Sequence, residues 1–361
     1  MDTHDLPLRT ITVLAAAPDA AAGAAARAAH ERLSAIGYTA QSLRLALAPG
    51  NAPPDAAAAR DVEARARELG FDYVNFGPTT PAAAVEAILA TEIVFCSTLV
   101  APPAGAPDPE LIAAAAKAIV RIAHDTPQGF GNLRYCVSAC VPPGGPFFPA
   151  GYHAGGPIQV ALGVETAGLA QATLAHGGPA AFSAAIARHA LRIEAALDGL
   201  PGAIFTGCDW SLAPHPAPER STAAAVEQLS GVPFGAWGTL AAVAQLTNAI
   251  RTAHARQVGF NGVMLPVLED ATLARRNAEG RFQLRDLLAF SAVCGTGLDT
   301  IPLPGGATPE QLRCVLAEVA ALAAALNKPL TARLMPIPGL RAGEMTAFSF
   351  AYFVNTPVMA L

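Results

Sequence analysis

The stretch Gly202-Ala-Ile-Phe-Thr-Gly-Cys208-Asp209-Trp210-Ser211-Leu-Ala-Pro214-His215-Pro-Ala-Pro-Glu219-Arg220-Ser221 joins a short apolar run to a crowded polar loop. Residues 203–205 read as a buried strand that breaks at Gly207. Beyond it a carboxylate, an indole, hydroxyls, an imidazole and an acid–base pair follow in close order, and Pro214, Pro216 and Pro218 forbid regular structure there. A rigid polar loop at the carboxyl end of a buried parallel strand is where α/β proteins carry chemistry, so this stretch predicts a fold class and a site together. The plainer reading is a solvated strand-to-helix connection.

Outward from that stretch, apolar runs bounded by breakers alternate with helical patterns. Strands are expected at 9–16, 72–76, 92–96, 133–140, 158–164, 203–208, 262–267, 299–303 and 330–335, nine in all. Helices are expected at 20–36, 56–69, 81–90, 110–124, 179–197, 222–229, 239–256, 284–293 and 309–326. The last carries the fullest signals: Thr308 as N-cap, Pro309 at the first helical position, Gln311 in reach of the cap, and Asn327-Lys328-Pro329 to close it. Strand–helix alternation with near-continuous apolar strands argues for predominantly parallel strands covered on both faces, an α/β barrel spanning residues 1–361 as one domain. The proline-rich stretches 49–55 and 101–108 are short enough to be surface loops of that domain.

Bulk composition narrows the function. A chain that is 52% hydrophobic and 14% charged has ample material for a core, although much of it is low-bulk alanine. A net charge of -5, with no basic run longer than Arg275-Arg276, argues against nucleic acid as a partner. The longest apolar stretches, near 111–123 and 315–326, are interrupted by Lys117 and Arg121 or by Glu318, so no membrane span is expected. The opening 10–17 run follows Asp2 and Asp5 where a secretory signal would carry basic residues, and reads as the first strand. Six cysteines without disulfide or metal-knuckle spacing point to reduced thiols and a cytoplasmic location.

Polar groups collect near predicted strand ends. After 133–140 comes a long aromatic loop ending in Tyr152-His153, with His153 as candidate general base or metal ligand and Tyr152 as a substrate contact. Glu165 follows the next strand and is either a site group or a helix cap. Asp209 and Ser211 come from the opening stretch. Glu269-Asp270 follow 262–267, and at least one of this adjacent pair is structural. Asp299 opens the strand at 299–303 after Cys294-Gly-Thr-Gly, which lacks the lysine and spacing of a phosphate loop. Arg333 sits inside an apolar strand and needs a counter-ion, either an internal carboxylate or a bound anion. No serine stands in a G-x-S-x-G elbow.

Several runs together are recognisable: Gly145-Pro-Phe-Phe-Pro-Ala-Gly-Tyr-His153, Asp209-Trp-Ser-Leu-Ala-Pro214, Gly238-Thr-Leu-Ala-Ala, Gly262-Val-Met-Leu-Pro-Val-Leu-Glu-Asp270, Cys294-Gly-Thr-Gly-Leu-Asp299 and Thr356-Pro-Val-Met359. In this order, from about residue 9 to the C-terminus, they resemble domain-of-unknown-function family 711. The resemblance implies the ten-stranded α/β barrel of pyruvate formate-lyase-like glycyl-radical enzymes, one strand more than the pattern supplies. It brings no activity or catalytic residues. Residues 346–361 contain no glycine to hold a radical, so glycyl-radical chemistry is not expected, and longer members continue past the point where this chain ends.

The expectation is therefore a cytoplasmic, non-redox lyase, isomerase or hydrolase acting on a small anionic metabolite. His153, Asp209 and Asp299 are the expected catalytic groups, and Ser211, Arg333 and Tyr152 bind substrate. Asp209, Glu269 and Asp270 are the expected ligands of a hard divalent cation, Mg²⁺ or Ca²⁺. The competing reading is a non-catalytic ligand-binding or regulatory barrel.

Overall fold

A computed structural model describes residues 6–49 and 55–361. Asp2, Asp5 and positions 50–54 of the proline-rich stretch lie outside the described residues. In chain order the elements are β1 (Leu8–Ala15), α1 (Ala20–Ala35), β2 (Leu43–Leu47), α2 (Ala56–Glu68), β3 (Tyr73–Pro78), α3 (Pro81–Ala90), β4 (Val94–Ala101), α4 (Pro109–Asp125), β5 (Tyr135–Ala139), β6 (Gln159–Val164) and α5 (Ala167–Leu197). There follow β7 (Ile204–Asp209), α6 (Thr222–Ser230), α7 (Thr239–Arg251), α8 (Ala271–Ala278), α9 (Leu284–Ser291), β8 (Gly297–Pro304), α10 (Pro309–Leu326) and β9 (Leu330–Ile337).

Among the described residues nine strands join one mixed sheet in the order β7-β6-β1-β2-β3-β4-β5-β9-β8. Within it β1 to β5 run parallel to one another. The pairs β6–β7 and β8–β9 are each parallel inside themselves but meet β1 and β5 antiparallel, so four strands run against the other five. The sheet is open, where a closed ten-stranded barrel was expected. Expected and observed strands both number nine, yet they are not the same nine. Residues 262–267 form no ladder strand: Pro266 lacks an N–H to donate, and this segment makes only single bridges, Leu212 to Val263 and Pro266 to Asp299. The strand absent from the sequence reading is β2, whose Leu43, Leu45 and Leu47 alternate with Arg44 and Ala46.

Period-2 alternation sorts the strand side chains between two environments. Ile11, Val13, Leu45, Val74, Phe76, Val94 and Val137 pack with the alanine-rich faces of α1, α3 and α4 in the main core. The opposite face is covered by the loop after β5. Asn75 Nδ2 donates to Pro149 O and Gly151 O at 2.7 and 2.6 Å, which anchors this loop against β3, and Phe148 packs on Leu14, Ala46, Phe95 and Ala161. The Phe148–Pro149 peptide is cis.

Helix termini follow the sequence signals closely at α10, where Thr308 and Gln311 exchange side-chain and backbone hydrogen bonds in a capping box. Such a cap stabilises a helix by about 1 kcal/mol. In α5 the expected start at 179 is a kink: Gly177 and Gly178 leave helical geometry ahead of Pro179, and a helical stretch from Ala167 precedes them. Helix α8 carried no expectation. Among the described residues no helix is long and apolar enough to cross a membrane.

Candidate functional site

At the end of the sheet where β1 to β5 begin and β6 and β7 finish, the inner face borders a cavity of about 490 Å³. Its charged lining comes from local departures in otherwise regular strands. Between β1 and β6 the register steps from Leu8↔Val164 to Thr10↔Gly163, so Arg9 is an extra residue in a β-bulge. A bulge re-aims side chains, and here both Arg9 and Thr10 reach the cavity. Between β8 and β9 the register steps from Leu298↔Ala332 to Ile301↔Leu334, and Thr300 adopts a left-handed φ of 41°. Asp299, which follows the core residue Leu298, faces the cavity beside that second bulge. Arg44 and Arg333 need no bulge. Each alternates with core residues, Leu43 and Leu45 in β2 and Ala332 and Leu334 in β9, and so points inward.

The buried charges form a chain of pairs. Arg220 Nε donates to Glu165 Oε1 at 2.5 Å, and Arg9 lies 3.6 Å from Glu165 and 2.7 Å from Glu269. Arg333 then donates to Glu269 Oε1 at 3.1 Å and to Asp299 Oδ1 at 2.6 Å. Glu165, Glu269, Asp299 and Arg333 are buried, so an unpaired member would cost several kcal/mol, and alternation of sign is what makes their burial tolerable. Burial opposes the charge of Arg333, yet Asp299 and Glu269 hold its pKa above the ordinary arginine value. Burial pushes the Asp299 carboxyl up, Arg333 pulls it down, and the Glu269 charge raises it again, for a net upward shift.

Arg44 stands apart from that chain. Its Nε donates to Ser42 Oγ at 3.0 Å, its guanidinium lies 5.6 Å from the Tyr73 ring centre and 5.4 Å from that of Phe148, and among the described residues no carboxylate pairs with it. Burial, and after it the charge of Arg9, lowers its pKa to about 10, which leaves it a cation at neutral pH.

Asp209 and Ser211 close another side of the cavity. Ser211 Oγ donates to Asp209 Oδ1 at 2.5 Å, and the backbone N–H groups of Ser211, Phe260 and Asn261 donate to the same carboxylate. Burial raises this carboxyl while those bonds draw it back. Gly259, at φ +83°, leaves no room for a side chain, since a Cβ there would fall 2.5 Å from Asp209 Oδ2.

The expected site residues thus divide. Asp209, Ser211, Glu269, Asp299 and Arg333 meet at one cavity. His153, Tyr152 and Asp270 do not line it. The His153 backbone N–H donates to Leu47 O at the far end of β2, and its Nε2 contacts Pro157 O at 3.1 Å, at the opposite end of the sheet from Arg44. Tyr152 donates to Val141 O and packs with Cys136 and Phe260. The physical reason is strand direction: the loop after β5 leaves from one end of the sheet, whereas β6 and β7 run the other way and deliver Asp209 to the other end. Asp270 is structural. Its carboxylate accepts from Ser221 Oγ and the Thr222 N–H at the start of α6, and from the Thr272 and Leu273 N–H groups at the start of α8.

The donors expected for a divalent cation do not fit one. Asp209 and Asp270 spend their lone pairs on N–H and O–H donors, Glu269 lies between two guanidiniums, and among the described residues no group of three or more acidic, histidine or cysteine side chains converges. Arg9 and Arg44 escaped the sequence reading. The L-R-L-A-L alternation of residues 43–47 was the available signal for Arg44. Nothing local marks Arg9, because the bulge exists only once β1 pairs with β6.

The sequence matches the family model described as Uncharacterised ACR (DUF711) over residues 7–349. A UPF0210 protein of Pyrobaculum arsenaticum is 35% identical over 227 residues, 58% of this chain and 51% of that protein. A UPF0210 protein of Pyrobaculum islandicum is 30% identical over 359 residues, covering 88% of this chain and 78% of its own. One of Desulforudis audaxviator is 30% identical over 336 residues, covering 84% and 74%. The match to the Pyrobaculum arsenaticum relative thus spans about half of that protein's length.

Proposed function

This chain belongs to the DUF711 family, and on the geometry of its cavity we propose that it binds a small organic anion and transforms it without redox chemistry. The observation that carries the reading is Arg44, a partly buried cation facing the cavity, held by aromatic rings and left without a carboxylate among the described residues. A guanidinium kept in that state is favoured most by an anion that arrives from solution. The reacting group in this reading is Asp299. Its raised pKa and its neighbour Glu269 suit a carboxyl that gives or takes a proton beside the bound anion, as a lyase, isomerase or hydrolase requires.

Extraction of co-purifying small molecules, followed by mass spectrometry, tests the reading on the full chain. An anion recovered from the wild type and lost from Arg44→Ala supports it; equal recovery from both removes its basis. With the anion identified, Asp299→Asn is expected to retain binding and to lose turnover.

A second reading, a ligand-binding or regulatory protein without catalysis, is favoured by the saturation of Asp209, which accepts four hydrogen bonds and has little capacity for chemistry. Turnover lost in Asp299→Asn separates the two. The barrel expected from the family resemblance is supported by residues 257–266, which bridge singly to both edge strands, Gln257 to Cys208 in β7 and Pro266 to Asp299 in β8; in this reading they occupy the place of a tenth strand. The thiols, five of them buried and all free, suit the cytoplasm.

A further inference from the structure

We infer that the anion is a monocarboxylate with an aromatic body, rather than a phosphorylated or dicarboxylic metabolite. This deepens the reading above and rests on Arg44 as the anchor. The first argument is a count of guanidinium donors left for a ligand. Three guanidiniums, Arg220, Arg9 and Arg333, are matched in the ion-pair chain by Glu165, Glu269 and Asp299. Arg134, which also lines the cavity, turns its Nη groups to Val94 O and Ile88 O at 3.1 and 2.8 Å. What remains for a ligand is Arg44, whose hydrogen bond to Ser42 uses Nε, so among the described residues its two Nη groups are left for a paired contact with one carboxylate. A phosphate monoester carries close to two charges and a dicarboxylate two, and among the described residues the other lining guanidinium without a carboxylate, Arg134, has both Nη groups spent on carbonyls.

The second argument is the wall. Around Arg44, Tyr73 meets Phe95 edge-on at 5.3 Å, and Phe95 meets Phe148 at 5.6 Å. Phe147 and Phe350 also line the cavity. Ring edges and faces at such spacings accept another ring in the same edge-to-face or offset arrangements. The volume of about 490 Å³ suits a body of one or two rings and is small for a nucleotide-sized ligand.

Calorimetric titration of the full chain with phenylacetate, succinate, phenyl phosphate and benzyl alcohol tests the inference. Phenylacetate is expected to bind at least about tenfold more tightly than the other three, and Arg44→Lys, with its fold checked by circular dichroism, to weaken it by about tenfold or more, since a point charge replaces the paired donors. Succinate or phenyl phosphate binding as tightly as phenylacetate, with dependence on Arg44, overturns the aromatic monocarboxylate and leaves the anion reading standing. Benzyl alcohol binding as tightly overturns the role of the charge. No binding of any probe at millimolar concentration counts against both.

Discussion

Buried side chains whose protonation differs between folded and unfolded states give residue-scale predictions. His189 Nδ1 shares a hydrogen bond with the Tyr38 hydroxyl at 2.6 Å and is buried, and burial, aided by Arg192 and Arg188, lowers its pKa to about 4. The unfolded chain, with an ordinary histidine, binds the extra proton between about pH 6.5 and 4. Folding stability therefore rises with pH across that window, and acidification from 6.5 to 4 removes it, by on the order of 2 kcal/mol after allowance for screening. Urea unfolding at several pH values is expected to show a shallower slope for His189→Asn, which keeps a hydrogen-bonding partner for Tyr38 and cannot titrate. An unchanged slope would assign the acid sensitivity elsewhere. Asp270 makes a sharper case. Its removal leaves buried donors from two helix starts without an acceptor, so Asp270→Ala is expected to cost about 4 kcal/mol or more in denaturant unfolding. If the loss is below about 1 kcal/mol, the double cap is not what holds α6 and α8.

At the scale of elements, the segment after β9 folds back over the cavity as a strap. Asn355 closes its neck: its Oδ1 accepts from Thr346 Oγ1 and the Phe348 N–H, and its Nδ2 donates to Phe348 O. Above the neck, Phe348, Phe350 and Phe353 surround Phe130 with ring centres 5.3 to 6.0 Å away, and Phe350 and Tyr352 reach the cavity. Aromatic packing holds the strap, while the amide fixes its loop. Asn355→Ala is expected to raise the rate of chymotryptic cleavage within residues 346–355 by about tenfold, the value of one or two lost hydrogen bonds, without a comparable fall in melting temperature. Cleavage at the wild-type rate would show that the rings alone suffice. The bulge at Arg9 works at the same scale, because it lets Arg9 and Thr10 both reach the cavity.

For the whole molecule, a single sheet running from Leu8 to Ile337 leaves no seam at which one part could unfold without breaking ladders of the other. One cooperative calorimetric transition is expected, and two separated transitions would divide the chain into independent units. The thiols report on the same state. Cys314 is exposed and the other five cysteines are buried, with burial pushing Cys96 up to about 12, so one thiol should react with a disulfide reagent in the native protein and six after denaturation without reductant. Fewer than six would reveal a bridge.

Local pattern by itself determined the alternation of strands and helices, the capped helix at 309–326, and five of the cavity residues, Asp209, Ser211, Glu269, Asp299 and Arg333, because apolar period and cap chemistry act over a few residues. Pairing in three dimensions decided the rest. A period-2 run reads the same in either direction, so nothing in the strands themselves announced that β6 to β9 oppose β1 to β5. That reversal sends His153 and Asp209 to opposite ends of the sheet, though both follow strands. One inserted residue changes the face of every side chain beyond it, and whether Arg9 is such an insertion depends on β6, some 150 residues away. Counter-ions are likewise a property of the fold: the three acids expected to hold a metal found guanidiniums and N–H and O–H donors instead, and the guanidinium left for a ligand, Arg44, came from the one strand the pattern had passed over.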